Sequence, residues 1–147
     1  MNQLELDELD KEIVARLRVE NINNSALAEE LGISEGAVRQ RIKKLKESGV
    51  LKVRALINPD SLVRQQLATI AITITESRHL DAKAREIAAL ENVLSVSITS
   101  GQYDLMVEVL VDSNRGLVHF LTEILAQVDG IAKTESFLML KNYNKYV

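Results

Sequence analysis

Residues 25–49 read SALAEELGISEGAVRQRIKKLKESG, and this stretch decides how the chain is interpreted. Leu27, Ala28 and Leu31 give a first short helix an apolar edge. Gly32 ends it, because glycine reaches left-handed backbone angles without a Cβ clash. Ile33 plugs the turn, and the Ser34 hydroxyl is placed to accept from an orphan amide at the start of a second helix. Val38, Ile42 and Leu45 recur at i, i+4 and i+7, which puts them on one buried stripe. Gly36, Gln40, Lys43 and Glu47 point the opposite way, with Arg39 and Lys44 on the flanks. A helix that buries one side and presents Gln, Lys and Arg on the other suits the major groove of double-stranded DNA. The competing interpretation is an ordinary helical hairpin with a solvated, charged face.

Charge distribution favours DNA. The whole chain of 147 residues carries a net charge of −3, which by itself argues for no nucleic-acid partner. Between positions 39 and 54, however, seven Lys or Arg (39, 41, 43, 44, 46, 52 and 54) face a single acid, Glu47. The first 30 residues reverse this, with three basic and eight acidic side chains. Positive charge is therefore concentrated where the second helix lies.

Other chemistries find little support. Without cysteine there is no disulfide, thiolate metal site or thiol nucleophile. His79 and His119 are isolated and lack metal-ligand spacing. No nucleophile–base pair or phosphate loop is visible, so neither an enzyme nor a cofactor is expected. No apolar run approaches the roughly 20 residues that span a bilayer, and the acidic, polar N-terminus is unlike a secretory signal. A soluble, cytoplasmic protein with no membrane partner is expected.

A helix should precede the pair, capped near Asp7, with Leu9, Ile13, Val14 and Leu17 as its stripe. Positions 21–24 form a polar break. Arg41, near the buried edge of the second helix, is expected to pair with an acid of the first. Beyond Gly49 the chain turns extended, and Asn58-Pro59 marks a boundary. The domains expected are thus 1–50, a connector over 51–66 (helical in part around 60–65), and 67–147.

In the second domain the periodicity changes. Ile70, Ile72 and Ile74 alternate with polar or small residues, a strand pattern. A helix over 81–90 follows, capped by Asp81. Leu94, Val96 and Ile98 alternate as a second strand, a turn occupies 101–104, and 105–111 is a third strand. Residues 114–128 read as a helix with Leu117, Leu121, Ile124, Leu125 and Val128 on one face, then 131–140 as a last strand. The order βαββαβ folds as an antiparallel sheet backed by two helices. Its other face would carry Thr69, Ala71, Thr73, Ser95, Ser97, Thr99, Met106, Glu108 and Leu110, flat enough for a second copy. A homodimer is expected, since two-fold symmetry adds affinity and register to a reader with one short helix.

The segments LDELDKEIVARL (6–17), SALAEELGISEGAVRQRIKKLKESGVL (25–51), INPDSL (57–62) and SGQYDLMVEV (100–109) together resemble the Lrp/AsnC family of feast/famine transcriptional regulators. The resemblance runs over essentially the whole chain. It implies an α+β protein: an N-terminal helix-turn-helix (winged-helix-like) DNA-binding domain, then a ferredoxin-like βαββαβ domain that senses amino acids or related small molecules. It also implies dimers that assemble into tetramers, octamers or open arrays. The family's effector site would fall at Ser100, Gly101, Gln102, Tyr103 and Asp104, with Thr134 and Ser136 on the last strand as further polar candidates. Gly101 admits close backbone approach, Tyr103 offers an amphipathic wall, and Asp104 can accept from an α-ammonium group. A turn whose Asp104 only bonds backbone is the alternative. The DNA contacts would come from Ser34, Glu35, Gly36, Arg39, Gln40, Lys43 and Lys44. Glu35 and Gly36 depart from the family pattern, as does Gln102, where an acid is common. Glu35 is expected either to cap helix amides or to accept from a cytosine amino group. An effector-independent architectural DNA-binding protein is the alternative function.

Overall fold

The computed structural model describes residues 5–20 and 22–147. It divides into two compact units, one ending at Ala55 and the other beginning at Leu56.

In the first unit, α1 (Glu8–Val19) starts at Asp7, whose carboxylate accepts the Asp10 N–H at 2.8 Å. α2 (Asn24–Leu31) is capped by Asn23, which accepts from the Ala26 N–H. The expected polar break therefore ends in a cap, although Asn21 lies outside the described residues. Gly32 takes the left-handed conformation at φ 65°, and its N–H and that of Ile33 return to carbonyls of α2. α3 (Glu35–Glu47) begins at Ser34, whose hydroxyl accepts from the Ala37 N–H at 3.2 Å. Ile13, Leu27, Ala28, Val38 and Leu45 form the buried centre, with Leu9, Val14, Leu17, Ile33 and Ile42 packed around it. No strand intervenes between α3 and position 64.

The second unit is a four-stranded antiparallel sheet in the order β2-β3-β1-β4, with β1 Gln65–Ile74, β2 Val93–Ile98, β3 Leu105–Asp112 and β4 Ile131–Leu138. α4 (Leu80–Ala88) and α5 (Ser113–His119) back one face. The core lies between them: Ile70, Ile72, Ile87, Leu105, Val107, Val109, Phe120 and Leu125 are essentially inaccessible to water.

Several local expectations are corrected. In the connector the helical part expected around 60–65 is only a short 3-10 turn, Pro59–Ser61, capped by Asn58, with β1 already begun at Gln65, and Ile57 exchanges two backbone hydrogen bonds with Val147. Asp81 does not cap α4; the helix starts one residue earlier, after His79, with no side-chain cap. In β2 the register slips between Val93 and Ser95 against β3, leaving Leu94 as the extra residue of a bulge. Val93 and Val96, not Leu94, therefore pack on the core. The helix expected over 114–128 changes pitch. α5 passes into a π-helical turn (Phe120–Ile124) and a 3-10 turn (Leu125–Gln127), and the wider turn brings Phe120 to full burial. Gly116 permits this helix to sit close, since a Cβ there would lie 3.3 Å from that of Val111. On the opposite sheet face Ala71 is fully buried within the isolated chain, as is nearly all of Leu67.

Candidate functional site: a DNA-reading helix and a sheet-end turn

The outer face of α3 is built by its caps and its stripe. With Val38 and Leu45 held inward, Ser34, Glu35, Gly36, Arg39, Gln40, Lys43 and Lys44 are all exposed. The structure brings these seven sequence-derived candidates onto one surface. A Cβ at Gly36 would meet only the Ser34 hydroxyl at 3.9 Å, so nothing in the protein demands glycine there and the backbone is open to close approach.

Charges on this face are paired along the helix. Glu35 accepts from the Arg39 guanidinium at 2.5 Å, and Lys43 lies 3.8 Å from Glu47. Glu35 thus neither caps an amide, which is the work of Ser34, nor stands free. Such exposed i,i+4 pairs are worth only about 0.3–0.5 kcal/mol, a small obstacle to exchanging partners with a phosphate or a base.

Arg41 behaves differently. Its guanidinium donates to Asp7 at 2.6 Å and to Asp10 at 2.7 Å, and Asp10 is only 2% exposed. Those hydrogen bonds, that of Asp7 first, raise the Arg41 pKa, and the same bond holds the Asp7 carboxyl below its ordinary range. Arg41 is the clasp between α1 and α3, as its place at the buried edge suggested.

The second candidate region is the turn before β3. Ser100, Gly101 and Gln102 are exposed, whereas Tyr103 and Asp104 are half-buried. Asp104 is committed to the sheet: its carboxylate accepts the Ile74 N–H at 2.8 Å, beside the irregularity between Thr73 and Ile74, and its own N–H donates to the Ile72 carbonyl. The Tyr103 hydroxyl donates to Glu135, which raises the tyrosine's pKa, and the Tyr103 carbonyl accepts from the Thr99 hydroxyl. Since β1 separates β3 from β4, the Tyr103–Glu135 bond spans β1 on the face away from the helices, where Glu135 lies opposite Ala71.

Thr134 and Ser136 are not brought to that place. They lie opposite Ile72 and Ile70, whose side chains enter the core, so they share the helix-side face of the sheet while Glu135 points the other way. Glu135 is the member that the sequence reading missed. The alternation of TESF carried a signal for it, because only one of Thr134 and Glu135 can share a face with Tyr103.

Comparison with known proteins completes the assignment. Residues 67–146 match the Lrp/AsnC ligand binding domain, and residues 6–52 match a winged helix-turn-helix DNA-binding domain. An HTH-type transcriptional regulator of Pyrococcus furiosus is 35% identical over 91% of this chain and 91% of its own. Among solved structures, PH0061 superposes with a TM-score of 0.80 at 23% identity, covering 99% of both chains. The Neisseria meningitidis regulator NMB0573, crystallised with L-Met, superposes at 0.70 and 23% identity over 96% of this chain and 94% of that one. The two structural likenesses establish the fold, and the domain matches and the sequence relative establish more. These describe a DNA-binding regulator with a ligand-binding domain, not an enzyme, and the chain belongs to the Lrp/AsnC family of transcriptional regulators.

Proposed function

We propose that the protein is a sequence-specific regulator, acting as a homodimer or as a tetramer or octamer assembled from dimers, whose assembly or DNA affinity responds to an amino acid or related small molecule. The observation that carries the DNA half is the outer face of α3, where Gly36, Arg39, Gln40, Lys43 and Lys44 are exposed together on a helix fixed at its N-terminus by Ser34. Lysines and arginines there attract phosphates in a salt-dependent way, and Gln40 has the donor and acceptor to pair with adenine. The effector half is supported by the ligand-binding domain over 67–146 and by L-Met in the Neisseria relative.

In this reading Ser100, Gly101 and Gln102 supply exposed backbone and side-chain groups, while Tyr103 and Asp104 act after rearrangement of their present hydrogen bonds. Thr134 and Ser136 contribute from the other sheet face, through a neighbouring molecule. The coupling between ligand and DNA would amount to about 1–3 kcal/mol.

A thermal-shift screen of the twenty amino acids, followed by DNA titration with any that bind, tests this. A ligand that raises the melting temperature and shifts promoter affinity supports the proposal; a blank screen removes the effector half. One observation favours an effector-independent architectural role instead. Asp104 and Tyr103 are already satisfied within the chain, by Ile74 and Glu135. That role predicts equal affinity for promoter and random fragments at matched salt.

A further inference from the structure

The reading face of α3 contains one element whose hydrogen-bonding pattern is defined before DNA arrives. Glu35 sits in the first turn of the helix and Arg39 one turn later, joined at 2.5 Å, with side chains 47% and 69% exposed. Recognition helices reach base edges with their N-terminal residues. A carboxylate in that position is repelled by phosphates and by every base acceptor. Only two groups in the major groove donate to it, the amino groups of cytosine and adenine.

The edges of the base pairs choose between them. A G·C pair presents guanine N7 and O6 as two acceptors, followed by the cytosine N4 amino donor. An A·T pair presents acceptor, donor, acceptor and a methyl group. The Arg39–Glu35 unit offers the complement of the first pattern: guanidinium donors, then a carboxylate acceptor. Arg39 can address N7 and O6 while Glu35 takes the cytosine amino hydrogen that is free of Watson–Crick pairing. The bond between the two side chains is retained. On an A·T pair the guanidinium would keep adenine N7 but meet the amino donor in place of O6, and the carboxylate would meet thymine O4, so two of the three contacts repel.

We infer that Glu35 and Arg39 act as a preformed unit that reads one G·C pair per half-site. The inference rests on the sequence-specific reading above and deepens it by assigning base identity. The ion pair costs the free protein little to hold, and the Glu35 carboxylate, repelled by phosphates, favours discrimination over bulk affinity. Glu47, which pairs with Lys43 at the other end of α3, is farther from the N-terminal turn and serves as the internal control.

The test is selection of binding sites from randomised duplexes by the full-length wild type, Glu35→Gln and Glu47→Gln, at one salt concentration. The wild type should fix a G·C pair at one position of each half-site. Glu35→Gln should relax that position towards A·T, since a Gln amide can pair with adenine, and Glu47→Gln should leave it unchanged. Replacing that guanine by 7-deazaguanine, or the cytosine by N4-methylcytosine, should weaken wild-type binding about tenfold and affect Glu35→Gln less. Circular dichroism of the variants should match the wild type, because the pair is solvent-exposed. A wild type that selects a clear sequence which Glu35→Gln leaves unaltered at every position overturns this inference alone. A wild type with no preference overturns the sequence-specific reading and this inference with it.

Discussion

The two units hold their polar groups in opposite ways. In the helical unit the one buried charge among the described residues, Asp10, is matched by Arg41 within a small core, while Arg39, Lys43 and Lys44 are exposed on α3. In the sheet unit the core is larger and wholly apolar, and the polar groups of the candidate turn are spent inside the chain, Asp104 on Ile74 and Tyr103 on Glu135. One region is therefore open, with weak surface pairs and outward-facing cations. The other is closed, so that in the proposed function a ligand would have to displace existing hydrogen bonds.

The contrast in cores can be broken most severely at Phe120. Phe120→Ala should destabilise the sheet unit by about 3–5 kcal/mol. A urea titration should show its transition moved while the helical unit's transition stays in place. A single merged shift would mean that the units do not fold independently. Next in size, Arg39→Ala combined with Lys43→Glu should lower DNA affinity on the order of a hundredfold at physiological salt. The sheet unit and the oligomer, read by light scattering, should be unaffected. Arg41→Ala should weaken DNA binding too, but by unfolding: it strands the buried Asp10, so the helical unit's melting temperature should fall first.

Smaller effects sharpen the description of the closed site. Asp104→Ala leaves the Ile74 N–H without its acceptor and should cost about 1–3 kcal/mol. Asp104→Asn keeps a carbonyl for that N–H and should restore most of the stability. If Asp104 also binds an α-ammonium group, the Asn variant stays folded yet loses ligand affinity by calorimetry; unchanged affinity removes Asp104 from the site. The least effect concerns Glu108, whose carboxyl is held below its ordinary value of 4.5 by the Lys145 ammonium first and by the Ser95 hydroxyl as well. A lowered folded-state pKa stabilises the protein above the ordinary value, and that stability is lost as pH falls through the folded value. Glu108→Gln should therefore flatten the stability profile as pH falls below 4.5, measured by urea midpoints.

What was legible in the sequence was what repeats or terminates locally. Gly32, Ser34 and the Val38–Ile42–Leu45 stripe define α2, the turn and α3 because capping and helical periodicity act within a few residues. The position of Arg41 at the edge of that stripe was enough to suggest its partner on α1. The βαββαβ order followed from the change of period. What escaped was non-local. A one-residue bulge at Leu94 puts Val93 on the core in its place while Val96 keeps the expected side, and alternation alone cannot show it. The π-helical turn that buries Phe120 shifts phase in the same manner. The bonds Asp104–Ile74 and Tyr103–Glu135 join residues about 30 positions apart, and neither follows from turn chemistry. The burial of Ala71 depends on the strands flanking it, Met106 on one side and Glu135 on the other.

The central claim is that an open, cationic α3 reads DNA sequence under the control of the sheet unit. It is tested most directly by titrating the protein against its own promoter fragment and a scrambled fragment of equal length at matched salt, with and without the amino acid found by thermal shift. The account predicts promoter binding at least about tenfold tighter than scrambled binding, and a change in that ratio when the amino acid is added. Equal affinity for both fragments, unchanged by any amino acid, would contradict it.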